Sequence, residues 1–349
     1  MSCFVRTDRQ DAILRELKKT YRVFAPKRFP KHGWGENNQV IRYGEIDTFS
    51  QLVYDQKSDF SPKEVFYPIV QTLLYFTADT CRESQLPDER EIILFARPCD
   101  INGIRRLDTM FLKNGGHADN FYARLREKLH VFLLECTESY ETCFCVSMGS
   151  NVAEDYSAAV RFTPAGMYVQ VREPVFAPYF SAEPAADFTP EFIRENKHKV
   201  AVPNIPDRSL LPKIVALDYW KQFNDRCISC GGCNTVCPTC SCFDTTDIIY
   251  DETSRDGERR RAWSSCMLAD FTTMAGGHGV RPTPGDRMRF KTLHKIYDFK
   301  QRFGEENMCV GCGRCDMRCP KDIHFSETVD GLAAEVERLR TDEKEADGK

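Results

Sequence analysis

Two stretches of one chain, Cys227-Ile-Ser-Cys230-Gly-Gly-Cys233-Asn-Thr-Val-Cys237-Pro238 and Cys309-Val-Gly-Cys312-Gly-Arg-Cys315-Asp-Met-Arg-Cys319-Pro320, share the spacing C-x2-C-x2-C-x3-C-P. That spacing holds cubane iron–sulfur clusters in bacterial ferredoxins: three thiolates come from one tight loop and the fourth from the other loop. The expectation is therefore crosswise, with Cys227, Cys230, Cys233 and Cys319 on one [4Fe–4S] cluster and Cys309, Cys312, Cys315 and Cys237 on a second. Ser229, Gly231, Gly232, Gly311 and Gly313 are small enough to bring backbone N–H groups close to inorganic sulfide. Pro238 and Pro320 end each loop by removing a backbone donor. Structural zinc also uses C-x2-C spacing, but it usually pairs two such knuckles. A third and fourth cysteine before proline, repeated, fit the cubane.

The chain has 349 residues, enough for two or three domains, and 17 cysteines. Its first residues, Met1-Ser-Cys-Phe-Val-Arg-Thr-Asp, lack the basic and apolar pattern of a secretory signal. So many thiols without such a signal point to thiolate ligation in a reducing, cytoplasmic, oxygen-poor setting. A net charge of −4 gives no argument for nucleic acid or an anionic membrane as partner. Nor does any apolar run approach the ~20 residues that span a bilayer.

Residues 1–210 are expected to form an α/β or α+β domain. Ile13, Leu14, Leu17 and Tyr21 have helical spacing over residues 7–21, and residues 27–40 look like a loop. A second helix is expected from Ser61-Pro-Lys-Glu64, burying Val65, Phe66, Ile69, Val70, Leu73 and Leu74. Residues 92–96 and 131–134 read as buried strands flanking an Arg-rich helical stretch. Prolines between 174 and 206 mark a connection, with the boundary near 210. Residues 211–330 are expected to form an α-helical two-cluster ferredoxin domain, because about 70 residues separate the motifs and Leu293, Ile296, Tyr297 and Lys300 have helical spacing. A charged tail follows over 331–349, helical at first and then disordered.

Nine cysteines lie outside the eight expected ligands. Cys99 and Cys136 follow the two expected strands, so adjacent parallel strands would bring both to one carboxyl edge, with Cys143 and Cys145 close in sequence to Cys136. These four, with Asp100, are a candidate third cluster site. The alternative is that they are small buried packing residues. Cys240, Cys242 and Cys266 are expected to pack beside the first cluster, Cys3 and Cys81 to be structural, and His278 to be a turn residue in its glycine-rich loop. The basic stretches 259–261 and 281–291 either dock an acidic partner, offset cluster charge or form a solvated face.

Several strings together, Ser61-Pro-Lys-Glu-Val-Phe-Tyr-Pro68, Ala96-Arg-Pro-Cys-Asp100, Thr142-Cys-Phe-Cys-Val-Ser-Met-Gly149 and Cys237-Pro-Thr-Cys-Ser-Cys-Phe-Asp244, joined to the cluster motifs, resemble the iron–sulfur electron-transfer subunits of anaerobic sulfite reductases. That family is similar to the β subunits of cytoplasmic sulfhydrogenases. The resemblance implies that the chain relays electrons from a flavin- and nicotinamide-binding reductase subunit, which oxidises NAD(P)H, to a sirohaem subunit that reduces sulfite to sulfide. The sulfhydrogenase β subunit is the alternative, and a scaffold folded by structural metal is a third reading. With no G-x-G-x-x-G after an expected strand, neither FAD nor NAD is expected on this chain.

Overall fold

The computed structural model describes residues 1–30, 39–86, 88–205, 208–304 and 306–347. They fall into two units that interleave along the chain. The first takes residues 1–138, 152–193 and 243–263, and the second takes 139–151, 194–242 and 264–349. The boundary expected near 210 lies inside the second unit.

The first unit contains all the strands among the described residues: β1 (Ser2–Arg6), β2 (Tyr21–Pro30), β3 (Gln39–Glu45), β4 (Val70–Phe76), β5 (Cys81–Glu83), β6 (Glu91–Ala96), β7 (Leu129–Leu134), β8 (Ala158–Thr163), β9 (Gly166–Val171), β10 (Phe243–Asp251) and β11 (Asp256–Trp263). Seven of them form a sheet ordered β1-β9-β8-β7-β6-β2-β3, with β2, β6, β7 and β8 parallel. The alternation of β6 explains the layering. Ile93 and Phe95 pack with Ile13, Leu14 and Leu17 of the helix Thr7–Leu17, whereas Ile92, Leu94 and Ala96 pack with Ile101, Ile104 and Leu107 of the helix Pro98–Leu112. Both faces of the parallel strands are thus covered, which is why β6 and β7 read as continuous apolar runs.

Four elements depart from expectation. The helix from residue 63 stops at Phe66, and Val70, Leu73 and Leu74 lie in strand β4 instead. Pro68 is the cause: it pushes Tyr67 out of the helical region, to φ −137° and ψ 86°. In the loop expected over 27–40, residues up to Pro30 belong to β2, those from Gln39 begin β3, and 31–38 lie outside the described residues. The proline-rich segment is no bare connection either, because Phe176 and Phe180 in its short helices are buried in the sheet core; Pro206 lies outside the described residues. Within the gap between the cysteine motifs, β10 and β11 pair as a hairpin and β11 joins β4 in a four-stranded sheet of the first unit.

Every regular element of the second unit is helical among the described residues. Its core gathers Trp220, Phe223, Met288, Leu293, Ile296, Tyr297, Phe325, Leu332 and Val336. The last two belong to the helix Phe325–Asp347, so the region expected as a tail from 331 continues a packed helix. Arg338 supports it through ion pairs with Glu335 and Asp342, one turn away on either side.

Candidate metal centre

The two cysteine loops repeat one backbone conformation. In the first, Ser229 has φ 56° and Gly231 φ 72°; at the same motif positions of the second, Gly311 has φ 57° and Gly313 φ 65°. These left-handed residues flank the second cysteine and turn the chain so that a one-turn helix can begin, Gly232–Thr235 in one loop and Arg314–Arg318 in the other. The turn also aims amide hydrogens at sulfur. The Gly311 N–H donates to Cys309 Sγ at 3.4 Å, and the Ser229 N–H does the same for Cys227.

The glycines of the second loop are required by contact as well as conformation. A Cβ on Gly311 would lie 2.5 Å from the Phe144 carbonyl oxygen, and one on Gly313 would lie 1.9 Å from that of Thr142. The segment Thr142-Cys-Phe-Cys145 therefore rests directly on the second loop, with the Phe144 N–H donating to Gly311 O at 2.8 Å and Ser150 Oγ to Val310 O at 2.6 Å.

Cys227, Cys230, Cys233 and Cys319 line one pocket, together with Cys315, Met267, Met288 and Phe325. The other expected set also meets: Cys309 faces Cys237 and Cys312, and Cys315 faces Cys312 and Cys237. Each loop thus receives the last cysteine of the other motif. Burial pushes the Cys309 thiol up to about 12 and raises Cys315 and Cys227 as well. Cys237 moves the other way, well below the usual thiol range, because Cys240 hydrogen-bonds it and Lys295 and Thr239 add to the effect against burial. Among the described residues no three Cys, His, Asp or Glu side chains come close enough to hold a single metal ion. A cubane asks for something different, since each thiolate binds its own iron at a separate corner.

Two buried lysines stand beside these thiols, and a buried arginine, Arg287, holds the Ser229 hydroxyl of the first loop and the Arg281 and Pro282 carbonyls. Arg287 is 3% exposed, Lys291 4% and Lys295 3%, and none makes an ion pair with a carboxylate among the described residues. Burial works against the charge of Lys291 and Lys295, yet the surrounding cysteine sulfurs outweigh it and hold both lysines above their ordinary value. Arg287 Nε is buried without a hydrogen-bond partner. Two buried lysines among thiols, with a buried arginine on the first loop that keeps an orphaned donor, fit a group that is anionic and accepts hydrogen bonds, as thiolate-ligated iron–sulfide is. Offsetting cluster charge is one of the roles the sequence allows for 281–291, and Lys295 lies beyond that stretch. Basic residues spaced by four ordinarily mark a helix's solvent face, so the spacing by itself does not choose among those roles. Asp316 adds a negative charge beside Cys315, its Oδ1 3.3 Å from the sulfur, and accepts from the N–H groups of Phe325 and Ser326 where the last helix begins.

The remaining cysteines are shared between the two units. Cys99 opens the helix after β6, and Cys136 follows β7, its parallel neighbour, so both lie at the carboxyl edge of the first unit's sheet. Cys143 and Cys145 belong to the second unit. Asp100 is fully buried and accepts from Tyr43 Oη at 3.0 Å. Cys240 is buried beside Cys237, and Cys266 is hydrogen-bonded by Cys242 and by Asn234 Nδ2 at 3.1 Å. The run 259–261 is absorbed by the strands: Arg259 pairs with Asp247 at 2.7 Å, Arg260 with Glu258, and Arg261 with Asp119. His278 is exposed in a turn closed by the Met274 N–H on its carbonyl.

Helical loops that present two four-thiol sets belong to iron–sulfur proteins, and the family described as "4Fe-4S dicluster domain" matches residues 226–323. Over 327 residues, 90% of this chain, the sequence is 29% identical to the sulfhydrogenase 2 subunit beta of Pyrococcus furiosus, of which 93% is covered. The relationship therefore extends through the first unit, well beyond the cysteine loops.

Proposed function

We propose that the chain is the iron–sulfur electron-transfer subunit of a sulfhydrogenase-like complex, with the eight motif cysteines holding two [4Fe–4S] clusters in crosswise sets. The observation that supports this reading is the position of Cys237 beside Cys309 and Cys315, while Cys319 shares a pocket with Cys227, Cys230 and Cys233. Each cluster, when bound, takes up and releases one electron without making or breaking a bond to the polypeptide. The chain's own residues hold the thiolates, aim the Ser229 and Gly311 amides at sulfur, and shield the first set with Met267, Met288 and Phe325. Its partners would then be a reductase that binds flavin and nicotinamide, and a catalytic subunit. No helix among the described residues is long and apolar enough to cross a membrane.

The near full-length similarity to a sulfhydrogenase beta subunit favours a hydrogen- and sulfur-handling catalytic partner. Sulfite reductase is the second reading, supported by the strings around Cys99, Cys143 and Cys240. Anaerobic purification of the chain with its partners separates the two, nickel supporting the first and sirohaem absorbance the second. Failure of dithionite to produce reduced-cluster signals by electron paramagnetic resonance would overturn the relay itself.

A further inference from the structure

Arg287, Lys291 and Lys295 follow one another at four-residue steps, which places them on one side of the helix Pro284–Leu293 and of the π-turn His294–Asp298 that continues it. Along that line their neighbours change in order. Arg287 Nη2 donates to Ser229 Oγ at 2.8 Å, inside the first cysteine loop. Lys291 lines the same pocket as Cys230 and Cys233 of the first set and Cys315 of the second. Lys295 Nζ lies 3.6 Å from Cys237 Sγ and 2.6 Å from Thr239 Oγ1, and its carbonyl accepts the Cys309 N–H at 3.1 Å. Lys295 lies in the π-turn, a feature often found at functional sites.

We propose that these three residues form a buried cationic rail that sets the two cluster potentials in order: Arg287 acts on the first cluster, Lys291 on both, and Lys295 on the second. They are positioning and tuning residues and ligate nothing. A buried positive charge favours the more negative, reduced state of a neighbouring cluster and so raises its reduction potential. Because Lys291 serves both, it also lowers the cost of an electron lying between them. All three charges are screened little, since they are buried.

The inference rests on the two-cluster relay reading, and its test keeps the two apart. The anaerobically prepared full chain, with about eight Fe confirmed, is titrated electrochemically while reduced-cluster signals are followed by electron paramagnetic resonance. Lys295→Met should lower the midpoint of one signal and leave the other in place. Arg287→Met should lower the other, and Lys291→Met should lower both. Lys295→Arg should restore the wild-type midpoint. Lys295→Gln, which keeps a donor for Thr239, is measured beside the Met variant and decides the question if that variant loses iron. Unmoved midpoints at full iron content, or Arg287→Met and Lys295→Met shifting the same signal, overturn the rail. Absence of two reduced signals in the unmodified chain overturns the relay reading instead.

Discussion

Ser229 and Gly311 stand at the same position of the two cysteine loops and share one left-handed backbone conformation, with φ of 56° and 57°. Their surroundings differ. Beyond Gly311 the Phe144 carbonyl fills the space a side chain would need, while the Ser229 hydroxyl accepts a hydrogen bond from Arg287.

The reciprocal exchange should therefore be asymmetric. Gly311→Ser puts a Cβ 2.5 Å from Phe144 O and adds the left-handed penalty of about 1–2 kcal/mol. Iron content should fall by roughly half as the second set is disrupted. Ser229→Gly relieves the same penalty in the first loop and should retain full iron. Equal iron in the two purified variants would contradict this account.

Under the proposed crosswise ligation Cys237 answers for the second cluster although it lies in the first motif. Cys237→Ser should lose one of two reduced-cluster signals and about half the iron and sulfide. Cys240→Ser, beside it but outside both sets, should keep both signals. Elemental analysis with electron paramagnetic resonance distinguishes the two variants.

Total iron should be about eight atoms per chain. Cys99→Ser and Cys136→Ser should leave that figure unchanged, their thiols serving as packing at the sheet edge. A value near twelve, falling by a third in either variant, would establish a third cluster.

His294 stacks on Phe290 at 5.6 Å, and burial, reinforced by Lys295 and Arg281, lowers its pKa from 6.5 to about 4. The folded chain thus binds a proton less readily than the unfolded one. Stability tied to this ring is complete above pH 6.5 and is lost as pH falls toward 4. The loss amounts to no more than about 3 kcal/mol. Thermal melts of the wild type and His294→Gln from about pH 7.5 to 4.5 should converge as the pH falls, and parallel curves would refute the assignment.

The motifs make the chemistry of the site legible, because thiol spacing constrains a loop directly; the expectation of crosswise sets comes from two-cluster ferredoxins. Strands β6 and β7 are equally plain from their apolar runs. Segment 63–76 reads wrongly as one helix because Val70, Leu73 and Leu74 satisfy a helical period almost as well as a strand's, and Pro68 alone distinguishes them. Lys291 stays undecided between solvent and cluster charge, and Lys295 escapes notice, for a related reason: residue type assigns lysine to solvent, and only the surrounding sulfur makes its burial tolerable. The interleaving of the units is invisible in the sequence because it depends on β11 pairing with β4 across about 180 residues, a contact no local pattern encodes.

That interleaving bears on how the protein is made. The sheet of β4, β5, β10 and β11 cannot close until residue 263 has left the ribosome, by which time the first cysteine loop is already synthesised and its fourth thiol, Cys319, is not. The nascent chain therefore passes through an interval in which the four thiols of the first motif are already made and both units are incomplete; under the proposed crosswise ligation the first cluster cannot be completed until Cys319 has emerged.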